Sequence, residues 1–355
     1  MREDVGHISY YSYDCSTLQQ YIAQITITKN NMRNQNEKMS SGSENTAVGQ
    51  KHDPSIENPL VNYGQLPGWR QENQYIVSKY RSARNSYRQS IKSLTYLHNE
   101  TGNIYTHLFF LVIVLLLTTY NLPQLGGPKQ WFPSPRNGDL LALSAFLGGV
   151  ILCMSFSVTY HIILDHSESV ATAGKQLDFA GITCLIWGSL IATLYYTFTC
   201  EVELMRTYML IFTAFGAVML LFFASPLASK SWAQALVVPL FVSFAAAGIF
   251  PLWRGIQLYG WERMDEMAGL RWGLACGFVC LASLGPFMMQ FPECWKQGKF
   301  DMWLSSHQIF HIAVVIAACL HFVGLMKAYS FQHTHMQIAI CPMLSTWKDE
   351  LMNLT

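Results

Sequence analysis

Along this chain the apolar residues come in long blocks instead of at the short periods of a soluble helix or strand. Seven blocks run approximately from Tyr105 to Asn121, Leu140 to Leu164, Leu177 to Phe198, Met205 to Leu227, Trp232 to Trp253, Ala268 to Phe291 and Ser306 to Tyr329, each nearly free of charge. A helix needs about 20 mostly apolar residues to cross a bilayer, and backbone groups in hydrocarbon must be satisfied within the segment. The pattern therefore predicts an all-α fold: a seven-transmembrane helix bundle with short connections. Pro226, Pro239, Pro251 and Pro286 interrupt the blocks, where neighbouring helices can satisfy the freed carbonyls. Small residues in LGGVIL and SFAAAGIF mark close helix approaches.

Outside the blocks the text changes character. Residues 1–65 read as a poorly ordered amino-terminal region, with Asn30 to Asn58 rich in Asn, Ser, Glu and Gly. Residues 66–104 form a basic juxtamembrane segment carrying Arg70, Lys79, Arg81, Arg84, Arg88 and Lys92, expected as an interfacial helix against anionic lipid. Residues 105–329 are the transmembrane domain and 330–355 a tail. Basic residues close to the first span predict a cytoplasmic amino terminus, and seven crossings then put the carboxyl terminus on the extracytoplasmic side. Lysines and arginines in the remaining loops divide almost evenly, so the orientation rests on that segment.

Composition supports this class. Of 355 residues 51% are hydrophobic and only 13% charged, where a soluble domain carries charge on about a quarter of its residues. A multi-pass integral protein of the plasma membrane or an endomembrane is expected. The net charge of +1 removes any argument for a nucleic-acid partner. Nine cysteines are scattered; Cys153, Cys184, Cys276, Cys280 and Cys319 lie in apolar runs as small core residues, and no disulfide framework or CxxC clip is expected.

Polar side chains within spans are costly and usually functional. Ser157 and His161 end the second block, Asp178 lies near the start of the third, and His307 and His311 open the seventh. The end of an even span and the start of an odd one share a membrane face, so all five belong to one side, the cytoplasmic side under this orientation. His307 and His311 lie on one helix face about one turn apart. Such a pair alone is more often structural. A third histidine and a carboxylate at the same depth call for a common cause, and a shared cation is the simplest.

Three imidazoles with an open fourth position form the catalytic type of zinc site, where the metal lowers the pKa of a water towards about 7. Asp178 is then the candidate general base, and Ser157 a hydrogen-bond donor to a substrate carbonyl or beside the metal. A back-bond of Ser157 to its own helix is the competing reading. His98, Glu100, Asn103 and His107 read as a capping cluster; ligation by His107 would close the open position. His166 and Glu168 read as solvated or supporting groups. His321 is too far along its helix to reach the same metal, whereas His333, His335 and Met336 are a weak outer metal site.

The segments YLHNETGNIYTHL, SFSVTYHIILDHSE, KQLDFAGI and SHQIFH, with LPGWRQENQYI ahead of them, resemble the progestin and adipoQ receptor family, which includes adiponectin receptors, hemolysin III proteins and fungal zinc-homeostasis proteins. The length and polar front end are closest to the fungal or animal receptor-type members. The resemblance implies zinc on His161, His307 and His311 with Asp178 and Ser157 beside it, seven spans with the amino terminus inside, and hydrolysis of ceramide-type amides. Expected partners are membrane lipids, ceramide or free fatty acid, with an extracellular protein ligand as a further candidate. A non-enzymatic receptor or homeostasis regulator with a structural zinc is the alternative. A pore is weaker, because the ionisable residues cluster at one face and line no path across.

Overall fold

The computed structural model describes residues 60–121 and 136–335, so the expected disordered front end before residue 60, and the tail with Met336, lie outside the described residues. Strand β1 (Leu60–Val61) pairs antiparallel with β2 (Tyr80–Arg81), Leu60 opposite Arg81 and Val61 opposite Tyr80. Helix α1 (Tyr87–Lys92) follows, capped by Ser86, whose hydroxyl accepts from the Gln89 amide at 3.4 Å. The basic segment is therefore a small folded unit and not one interfacial helix. Its basic residues also divide: Lys79, Arg88 and Lys92 are exposed, but Arg70 and Arg81 are only 5% and 1% exposed. Composition cannot distinguish a lipid-facing arginine from one consumed by internal carbonyls.

The membrane bundle consists of α2 (Thr101–Asn121), α3 (Asn137–Ile163), α4 (Glu168–Thr197), α5 (Val202–Ala224), α6 (Ser231–Ala247), α7 (Ile249–Tyr259), α8 (Trp261–Ala268), α9 (Leu270–Met289) and α10 (Ser306–His335). Seven spans long and apolar enough to cross a membrane arise from these, with α6 and α7 together making the fifth over Ser231–Tyr259. The apolar pattern foresaw all seven, but not that the fifth is two helices meeting at Gly248. Nor did it foresee α8, a short helix set off by Gly260 at φ +74° and Gly269 at φ +62°. A side chain at Gly269 would in addition collide with the Gly324 backbone. Pro239 and Pro286 lie inside α6 and α9, whereas Pro226 starts a 3-10 turn after α5 and Pro251 sits in the first turn of α7.

The largest buried cluster joins α2, α3, α4 and α10 through Val114, Phe146, Met154, Tyr196, Leu325 and Tyr329. A second, led by Phe212, Phe223 and Phe244, joins α4, α5 and α6. Helix α9 packs chiefly on α10 and buries little of itself. The five cysteines in apolar runs are free, but of them Cys153 alone is buried, and Cys280 and Cys319 are exposed, which corrects their reading as core residues. Cys200 and Cys294, which lie in connections, each take part in a disulfide, and this corrects the expectation of none.

Candidate metal centre

His161 sits in the last turn of α3, and His307 and His311 in the first turns of α10. Their ring centroids are 5.1 Å (His161 to His307), 4.8 Å (His161 to His311) and 4.9 Å (His307 to His311) apart. One ligand nitrogen from each lies within 4.8 Å of the others, and these three form the group of close metal-ligating side chains found among the described residues. A tetrahedral ion with bonds of about 2.0–2.1 Å wants nitrogens roughly 3.4 Å apart, so modest side-chain torsions bring the three onto one ion.

The surrounding hydrogen bonds suit ligands. His161 Nδ1 pairs with Glu100 Oε2 at 2.8 Å, while its Nε2 is buried without a partner. His311 Nδ1 lies 3.2 Å from the Asn103 carbonyl, which orients that ring as well. A carboxylate or carbonyl behind the imidazole is how ligating histidines are normally held, and His161 and His311 each have one, His161 with its opposite nitrogen left over. The residues present therefore fit a metal ion.

Glu100, read from the sequence as part of a capping cluster, stands instead directly behind His161. Amides of Asn99 (2.9 Å) and Asn103 (2.7 Å) donate to its two oxygens. Burial alone would raise its pKa, but the bonds from His161 and Asn103 outweigh that and hold the carboxylate below its ordinary range. Its position just before the first span puts it on the face that the histidines share, but an acidic residue before a helix reads first as a cap, and nothing in the sequence points it at His161. His98 does serve locally, its Nδ1 accepting from the Glu100 amide at 3.1 Å. Burial lowers its pKa to about 3, which keeps it neutral for that bond.

Ser157 and Asp178 are both buried. Gly174 packs against Tyr160 and Gly181 against Cys153, so in this antiparallel register Asp178 comes level with Ser157, about one turn deeper than His161. Ser157 Oγ makes no hydrogen bond to its own helix, which leaves the back-bond reading without its bond, and it stands beside the Asp178 carboxyl. His107 stacks on His311 with centroids 4.0 Å apart and both ring nitrogens unpartnered, yet stands outside the three-histidine group. His166 stacks on Tyr87 at 4.0 Å, and His321 packs against Phe146 away from the centre. His333 is still helical and pairs with Asp139 at 3.0 Å, so its imidazole is engaged at the far end of the bundle.

Residues 95–322 match the profile of the family described as "Haemolysin-III related". The chain is 32% identical to the ADIPOR-like receptor IZH2 of Saccharomyces cerevisiae, over 79% of this chain and 87% of that protein. It is 30% identical to the adiponectin receptor protein of Drosophila melanogaster over 80% of this chain, although it spans only 63% of that longer relative. Heptahelical transmembrane protein 1 of Arabidopsis thaliana is 30% identical over 75% of this chain and 80% of its own length.

Proposed function

Because the chain belongs to the haemolysin-III related family, which takes in the progestin and adipoQ receptors, we propose that its three histidines hold zinc in a site that hydrolyses ceramide-type lipid amides. The observation that carries this reading is the group of three imidazoles with no fourth ligand grouped with them among the described residues, closed in by buried polar atoms. Zinc held by His161, His307 and His311 would supply Lewis acidity, polarising a carbonyl oxygen and making a water more acidic. Asp178 takes the proton of the attacking water and returns it to the departing amine. Ser157 donates a hydrogen bond to the oxygen on which charge develops. Glu100 holds the His161 ring with its Nε2 turned inward, and the acyl chains lie among the apolar helices.

Metal analysis of detergent-purified wild type and His311→Ala, with a ceramide hydrolysis assay on the same samples, tests the proposal. The wild type is expected to carry zinc and release a sphingoid base, and the variant to do neither. Hydrolysis persisting in metal-free protein would rule the mechanism out. The names of the yeast and fly relatives favour a second reading, a receptor whose zinc is structural. It predicts zinc in the wild type, loss of stability without it, and no lipid turnover.

We further propose that this centre faces the cytoplasm. Lys79, Arg88 and Lys92 remain exposed beside the first span after the buried Arg70 and Arg81 are set aside, and they supply the positive-inside signal. An amino-terminal epitope tag in intact cells should become accessible to antibody only after permeabilisation. Staining of unpermeabilised cells would reverse the orientation.

A further inference from the structure

Carbonyls in the last turn of a helix have no intrahelical donor, and α3 ends immediately after His161. Two of those carbonyls are taken by one side chain. Arg81 Nη2 donates to the His161 carbonyl at 2.6 Å, and Nη1 to the Ile162 carbonyl at 2.8 Å and to Ser93 Oγ at 2.8 Å. Asp165 stands 3.5 Å from the same guanidinium and is held by Ser90 at 2.7 Å. Arg70 in turn donates to the Arg81 carbonyl. A cation at a helix C-terminus is favourable, and a buried, planar, multiply bonded one fixes position as well as charge.

The same segment also holds the other metal-bearing helix. Asn73 donates to Glu293 at 3.0 Å, and the Glu293 carboxylate, 0% exposed, accepts the Ser306 amide at 2.8 Å and the Ser306 hydroxyl. Ser306 is the residue before His307. Next to it, the Val77 amide (3.1 Å) and Ser78 hydroxyl (2.6 Å) donate to Asp301, and Gln308 donates to the Asn99 carbonyl at 3.1 Å. The distance between His161 and the His307–His311 pair is thus spanned outside the bundle by a hydrogen-bonded strap.

We propose that residues 70–99 are a clamp that sets the separation of the two helix ends forming the metal centre, with Arg81 as its positioning residue at α3 and Glu293, in the connection before α10, as the positioning residue on which it anchors. The proposal rests on the reading that the three histidines hold a metal. It makes metal affinity a property of the segment ahead of the first span, which supplies none of the three ligands. Partners standing behind metal ligands typically change affinity about 10- to 100-fold when removed.

The test uses the full chain in detergent and zinc itself, titrated in competition with a chromophoric chelator. Arg81→Ala and Glu293→Gln are expected to raise the zinc Kd about tenfold or more, Arg81→Lys by less, and Arg88→Ala, on the exposed face of α1, not at all. Hydrogen exchange of the metal-free proteins in EDTA should quicken in the last turn of α3 and the first turns of α10 while α5 and α6 stay as in wild type. Zinc binding by the wild type with Kd unchanged within twofold in both Arg81→Ala and Glu293→Gln would overturn the clamp, as would exchange quickened equally through the whole bundle. A wild type that binds no zinc would overturn the metal reading instead, and the exchange pattern in EDTA would then decide the clamp alone. Arg81→Lys and Ser78→Ala carry the same exchange prediction if Arg81→Ala does not fold.

Discussion

At the residue scale, the chemistry of His161 is set by the group behind it. Glu100, bonded to Nδ1 at 2.8 Å, fixes which nitrogen is free and makes the ring a better donor. Glu100→Gln keeps the shape but not the charge, so zinc affinity should fall about tenfold while the helices stay folded, measured by chelator competition together with circular dichroism. Unaltered affinity would reduce Glu100 to a cap. The three histidines were legible in sequence because intramembrane imidazoles are rare and parity assigns them to one face. Glu100 was not, because its partner is 61 positions away and side-chain direction decides whether a carboxylate faces a backbone amide or an imidazole.

At the element scale, the pairing of α3 with α4 matters most, since it brings Asp178 level with Ser157, one turn from His161. Close approach depends on small residues: a Cβ at Gly149 would stand 2.5 Å from the Cys184 carbonyl oxygen, backbone that cannot turn aside. Gly149→Val should therefore push the helices apart, costing about 1–3 kcal/mol and lowering the melting temperature in detergent. It should also weaken zinc binding, because the displaced helix carries a ligand. Gly148, its neighbour, has open space around it, so Gly148→Ala should leave the melting temperature as in wild type. LGGVIL was read correctly as an interface, but which of the two glycines faces the partner depends on helix rotation, which hydropathy does not encode.

At the scale of the whole molecule, the three-histidine group joins the seventh span to the second, with 150 positions of chain between His161 and His311. An ion bound to the folded state stabilises it by mass action, about 2.7 kcal/mol at a hundred times its Kd. EDTA should lower the melting temperature of the wild type and zinc restore it, with little response in His311→Ala. Equal melting of both proteins with and without metal would leave the histidines as packing residues. The seven spans, the single face shared by the polar residues and the three candidate ligands follow from sequence alone, because the bilayer demands long apolar helices and penalises every polar group placed in them. Tertiary structure alone decided that Arg70 and Arg81 turn inward, that Glu100 backs His161, and that the fifth span breaks at Gly248. Those outcomes depend on which carbonyls and carboxylates lie unsatisfied at helix ends once the helices have packed, and no property of the local sequence carries that information.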